Sequence, residues 1–118
     1  MSIQRIIEIT ADLNDNDIST LDVGGWDYAE VQLVSPTGTF SFLTSNDSGA
    51  ITGVSDGSSA SATNFTAVTG TKLSDASAVT TLAGSGIVKF SNLAQYLQIT
   101  GAGGAQVTKG FVRLYKIN

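Results

Sequence analysis

Apolar and polar residues alternate along most of this chain, in short runs bounded by glycine, serine, asparagine and aspartate. The clearest run is 26–44. Ala29, Val31 and Leu33 alternate with Tyr28, Glu30 and Gln32, and Phe40 and Phe42 alternate with Thr39, Ser41 and Leu43. A period of two sends successive side chains to opposite faces of a strand. Ala29, Val31, Leu33, Phe40 and Phe42 are therefore the predicted core face. Between the two runs, S-P-T-G reads as a type I turn. Ser35 supplies an acceptor at the first position, Pro36 is pre-set at the second, and Gly38 closes the fourth. The expected product is an antiparallel hairpin onto which the other strands are built.

The same reading predicts a strand over 3–10. Ile3, Ile7 and Ile9 share one face, which leaves Ile6 among Gln4, Glu8 and Thr10 on the other. A polar turn is expected over 11–17, a strand over 18–23, and a break at Gly24-Gly25. Turn residues 45–49 lead into a strand over 50–54. Residues 55–63 lack large apolar side chains and read as an exposed loop. Strands follow over 65–69 and 77–82. The second competes with a helical spacing of Ala76, Val79 and Leu82, but Val79, Thr80 and Thr81 favour extended backbone. Two more strands, 87–90 and 95–100, turn Val88, Phe90, Leu97 and Ile99 inward, and 101–105 reads as a hairpin loop. The last run, 106–117, would span roughly 40 Å as one strand, so Gly110 is expected to mark a bulge or bend. Val112 and Leu114 lie on one of its faces. Phe111, Tyr115 and Ile117 lie on the other, with Arg113 between them. Both faces carry apolar weight, so the outer one needs a cover or a partner.

Nine or ten short strands separated by turn residues indicate an all-β fold, an antiparallel jelly-roll β-sandwich, and 118 residues suit a single domain. Charge adds a closure. Glu8, Asp12, Asp15, Asp17, Asp22, Asp27 and Glu30 crowd the first thirty residues beside one base, Arg5. Lys89, Lys109, Arg113 and Lys116 come with no acid after them. Opposite signs on facing strands attract, which predicts that strand 3–10 lies beside 106–117.

The inventory of reactive groups is short. The chain has no cysteine and no histidine, so disulfides, thiolate metal sites and the commonest general base and zinc ligand are excluded. Most acids stand beside Gly, Asn or Ser in turn contexts, and Asp27 and Glu30 have opposite parity on a strand. A paired-carboxylate hydrolase is not supported, and neither an enzymatic role nor a cofactor is expected. Asp12, Asn14 and Asn16 open like a calcium loop. The sixth position is Asp17 instead of glycine and the twelfth is Val23 instead of glutamate, so an Asx-rich turn is preferred. G-A-G-G-A at 101–105 has no helix behind it to cradle phosphate. Six basic residues against ten acidic ones argue against nucleic acid. No apolar run reaches bilayer length, and M-S-I-Q-R-I-I-E lacks the pattern of a signal peptide. Trp26, Tyr28 and Tyr96 are the residues available for stacking on a sugar. A lone tryptophan more often plugs one end of a core.

The pattern V-G-G-W-D-Y-A-E-V-Q-L-V, then T-G-T-F-S-F-L-T-S-N-D-S-G-A-I-T-G, A-T-N-F-T-A-V and a closing V-R-L-Y-K-I resembles the small jelly-roll virion structural proteins of tailed bacteriophages. The similarity runs from about Val23 onward and rests on strand and turn pattern, with no catalytic motif. It implies a capsid decoration or cement protein on the virion surface, made in the bacterial host cytoplasm. The implied partners are the major capsid protein or other virion proteins, with a homo-oligomer, a trimer favoured. The alternative is a carbohydrate-binding module of a phage fibre or tail device. The residues expected to make the partner or oligomer contact are Ile6, Phe111, Tyr115 and Ile117.

Overall fold

The computed structural model describes residues 2–16, 18–47 and 64–117. The expected strand over 50–54 and the loop over 55–63 lie outside the described residues. The elements are β1 (Ser2–Glu8), α1 (Thr10–Asn16), β2 (Ile18–Asp22), β3 (Tyr28–Val34), β4 (Phe40–Ser45), β5 (Thr66–Ala67), β6 (Gly70–Lys72), β7 (Ala78–Val79), β8 (Thr81–Leu82), β9 (Gly86–Phe90), β10 (Tyr96–Gly101) and β11 (Lys109–Ile117).

They form two antiparallel sheets. One is six-stranded, in the order β1-β11-β3-β9-β6-β7; the other is five-stranded, β2-β10-β4-β5, with β8 also on β4. β5 pairs with Leu43 and Thr44 and β8 with Phe40 and Ser41, so two short strands share one side of β4. The main strands alternate between sheets along the chain, which is the strand order of a jelly roll.

Alternation in the sequence produces the core directly. Ala29, Val31 and Leu33 of one sheet and Phe40, Phe42, Leu97 and Ile99 of the other are buried. Phe42 and Phe90 meet edge to face across the interior, with centroids 5.1 Å apart. Ser19 is the exception in this layer. Its hydroxyl is fully buried and has no hydrogen-bond partner among the described residues.

The expected hairpin over 26–44 is not one. β3 and β4 belong to different sheets, and their apolar faces look at each other across the core. The connection does not close a type I turn on itself. Ser35 takes a left-handed φ of 50°, and the backbone of Thr37 pairs with Gln106, 2.8 Å for Thr37 N–H to Gln106 C=O. The 101–105 loop likewise joins β10 of one sheet to β11 of the other, so it is no hairpin. The run 77–82 splits at Thr80 for the same reason, with β7 in the six-stranded sheet and β8 on β4. Inward alternation identifies core residues, but it does not say which of two facing sheets holds them.

Residues expected to be a polar turn form α1. Leu13, the single large apolar residue among its seven, is fully buried, and one anchor leaves no helical periodicity to read. Asn14 binds the neighbouring loop: its side-chain oxygen accepts Val107 N–H at 3.0 Å and its carbonyl accepts from Gln106 Nε2 at 3.3 Å.

Strand β1 lies beside β11, as the charge pattern predicts, with Ser2 opposite Ile117 through to Glu8 opposite Phe111. The charges themselves do not face one another: Arg113 sits opposite Ile6 and reaches Glu30 on β3. Gly110 makes no bulge. It keeps register opposite Leu33, and its missing side chain admits Ile9 and Leu13, each of which would lie 3.2 Å from a Cβ there.

Candidate functional site

The outer face of the six-stranded sheet follows from the register. One row of outward residues crosses it as Glu8, Phe111, Gln32 and Ile87. The next row is Ile6, Arg113, Glu30, Lys89 and Thr71. A third holds Gln4, Tyr115 and Tyr28.

Two adjoining depressions lie on this face. One, of about 300 Å³, is lined by Ile6, Glu30, Gln32, Ile87, Phe111 and Arg113. The other, of about 400 Å³, is lined by Gln32, Val34, Leu73, Ser74, Ser85 and Ile87, among others. They share Gln32 and Ile87 and so form one trough across the strands. Ile6, 60% exposed, stands at one end and Leu73, 49% exposed, at the other. With strands ~4.8 Å apart, the trough is roughly 20 Å long.

The third row is closed rather than open. Tyr28 and Tyr115 stack with centroids 5.0 Å apart. Lys89 Nζ lies 4.5 Å from the Tyr28 centroid, and the Arg113 guanidinium lies 4.3 Å from that of Tyr115. Glu30 ties the group together. It accepts Arg113 Nη1–H at 3.2 Å and the Tyr115 hydroxyl at 3.3 Å, while Arg113 Nε–H donates to Gln4 Oε1 at 2.9 Å. A hydrogen bond with Tyr115 holds the Lys89 ammonium above its ordinary pKa of 10.5; the two tyrosines and Glu30 act the same way and desolvation opposes them. Partly exposed ion pairs of this kind stabilise by only ~0.2–1 kcal/mol each. The network ties this part of the face into one charged cluster.

The four expected contact residues all point outward, but they do not form one patch. Ile6 and half-buried Phe111 line the trough. Tyr115 is only 9% exposed and lies beneath Tyr28 and Arg113. Ile117 is 60% exposed but sits six residues along β11 from Phe111, ~20 Å away. Ile87 and Leu73 join the site without having been singled out. The parity that turns Val88 and Phe90 inward already turned Ile87 outward, so that signal was present. Leu73 lies in the turn after β6, a strand that sequence pattern did not reveal.

The candidate sugar-stacking residues are dispersed. Tyr96 is buried, Trp26 packs against the core, and the Tyr28 ring is engaged by Tyr115 and Lys89. No exposed coplanar aromatic pair is formed by these three. No group of three or more acids capable of holding a metal occurs among the described residues. No helix among them is long and apolar enough to cross a membrane.

In three dimensions the chain is similar to the SPBc2 prophage-derived protein YomS, with a TM-score of 0.64 and 12% identity over 98% of this chain and 96% of that one. At that identity the likeness is one of fold. No protein-family model matches the chain, and no curated protein matches its sequence.

Proposed function

We propose that this chain is a structural protein of a tailed-bacteriophage virion, a capsid decoration or cement protein that works by surface contact and without catalysis. The observation that carries the reading is the trough. Ile6, Phe111, Ile87 and Leu73 place apolar surface on the outer face of a sheet whose inner face already forms the core. Apolar surface collected in one exposed groove marks a contact with another macromolecule more often than it marks chance. Fold by itself does not assign function, but the nearly full-length likeness to a prophage-derived protein supports a phage setting. In this reading the trough meets the major capsid protein or another virion protein on the capsid surface.

The test is co-sedimentation of the purified chain with empty phage heads. Saturable binding is expected, together with a raised disruption temperature of the shells. Phe111→Asp should weaken binding at least tenfold while the domain stays folded, since Phe111 is only half-buried. Heads that bind none of the chain, or bind Phe111→Asp as well as the parent, would refute the reading.

A further inference from the structure

The long outer strand of the six-stranded sheet carries a second surface, its backbone edge, which meets the shell contact proposed for the trough only at Ile6. β1 pairs with β11 on one side, and no described strand pairs with its other side. Ile3 is 49% and Ile6 60% exposed, and Gln4, Arg5 and Glu8 are exposed as well, while Ile7 is buried in the core.

Ile9 N–H donates to Gly110 C=O at 2.8 Å, continuing the register of β1 with β11. Hydrogen-bonded and non-bonded pairs alternate in an antiparallel ladder. Odd-numbered residues of β1 therefore bond to β11, and Gln4, Ile6 and Glu8 turn their N–H and C=O groups to the open edge. The strand has no proline or bulge to block pairing, two of the devices that protect such an edge, and its charges are Arg5 and Glu8.

We propose that a second copy of this chain pairs with this edge, β1 against β1 and antiparallel, about a two-fold axis at Ile6. The two six-stranded sheets then join into one. Parity restricts the register, because facing side chains must share a face and outward backbone groups must meet outward ones. A centre at Arg5 meets both conditions but sets two guanidinium groups directly opposite each other, which is unfavourable. A centre at Ile6 places Ile6 against its own copy and covers the most exposed apolar side chain of β1. It sets Glu8 opposite the partner's Gln4, the residue that already accepts from Arg113, so an acid arrives beside a base. About six backbone hydrogen bonds form across the axis. The contact is isologous and closes after two copies, giving a dimer and not the trimer that the family resemblance favours. A short edge contact buries less than a standard interface, so dissociation at roughly 10–500 µM is expected.

Sedimentation velocity on the isolated full chain, up to about 1 mM, tests this without any shell present. A monomer–dimer equilibrium is expected. Ile6→Lys should weaken it at least tenfold, because two ammonium groups would meet at the axis. Ala78→Lys, exposed on β7 at the opposite edge of the sheet, should leave it unchanged. The chain has no cysteine, so Ile6→Cys provides a single thiol, and mild oxidation should give a covalent dimer. A chain that stays monomeric throughout overturns the proposal. So does a dimer or trimer indifferent to Ile6→Lys, or an Ile6→Cys variant that does not cross-link. Shell binding that depends on Phe111 stands or falls separately.

Discussion

Replacing Gly70 by alanine should cost this fold about 2 kcal/mol. Gly70 is buried in β6 and faces the rings and methyls of β9. A Cβ built there would lie 2.5 Å from Val88 Cγ1 and 2.6 and 2.8 Å from two atoms of the Phe90 ring. Carbon atoms pack at ~3.5–4.0 Å, so each contact is about 1 Å too short. Val88 and Phe90 are both fully buried, and Phe90 is held against Phe42, so neither has space to retreat into. Relief must come from moving β6, which loosens its pairing with β9. Overpacking of this kind costs ~1–3 kcal/mol. At about 4 °C per kcal/mol for a domain of this size, the melting temperature should fall by about 8 °C. Urea denaturation with an unchanged m-value, alongside calorimetry, is the assay. Two further glycines calibrate it. Gly110→Ala, with its nearest contacts at 3.2 Å, should cost less. Gly103→Ala, with nothing within 4 Å, should fall within about 0.5 kcal/mol of the parent. A Gly70→Ala protein as stable as the Gly103→Ala one would refute the packing argument.

Three other outcomes are expected. Ser19→Ala removes a buried hydroxyl that has no partner among the described residues and should raise stability by about 1 kcal/mol; a loss in urea denaturation would show that the hydroxyl is satisfied. Leu13→Ala should cost about 3 kcal/mol and speed hydrogen exchange at Val107 N–H, which Asn14 on the same helix accepts; stability lost without faster exchange there would disconnect the helix from that loop. Asp75 accepts the Ser77 hydroxyl at 2.6 Å and the Ser77 N–H at 3.0 Å, and these bonds, with Lys72 nearby, hold its carboxyl below the ordinary 3.8 against slight desolvation. Its folded value lies below its unfolded one, so its contribution is present above about pH 4 and is lost as pH falls through the folded value; a carbon-detected titration should show the low midpoint, and Ser77→Ala should return it toward 3.8.

The layer structure was legible because each long strand has one dry face. Parity alone placed Val31, Leu33, Phe42, Val88, Leu97 and Ile99 in the core, whereas on β11 both faces are apolar and parity only grouped Val112 with Leu114. Connectivity was less so. S-P-T-G has ordinary turn chemistry, yet the chain there crosses the sandwich and finds its backbone partner at Gln106, a residue far along the sequence. Local residue preference holds no record of that pairing. Charge suggested the right neighbours, β1 and β11, although Arg113 spends its charge on Glu30 one strand further in. Of the candidate contact residues, parity found the outward direction for all four, but exposure depends on what neighbours do. Tyr115 is covered because Tyr28 happens to be level with it on β3, and Leu73 counts because a three-residue strand, too short to show a period, presents it.

Strand order also bears on how the molecule is made. β3 is synthesised early, but the strand it needs on one side, β11, is the last to appear, and β1 depends on that same strand. The six-stranded sheet therefore cannot assemble until β11 has left the ribosome. Until then β1 and the β11 side of β3 wait with unpaired backbone, beside bare valine, leucine and isoleucine side chains. Folding should be slow, as long-range pairing imposes. A chain stalled or truncated before Lys109 would be left aggregation-prone, and chaperones would meet it in that state.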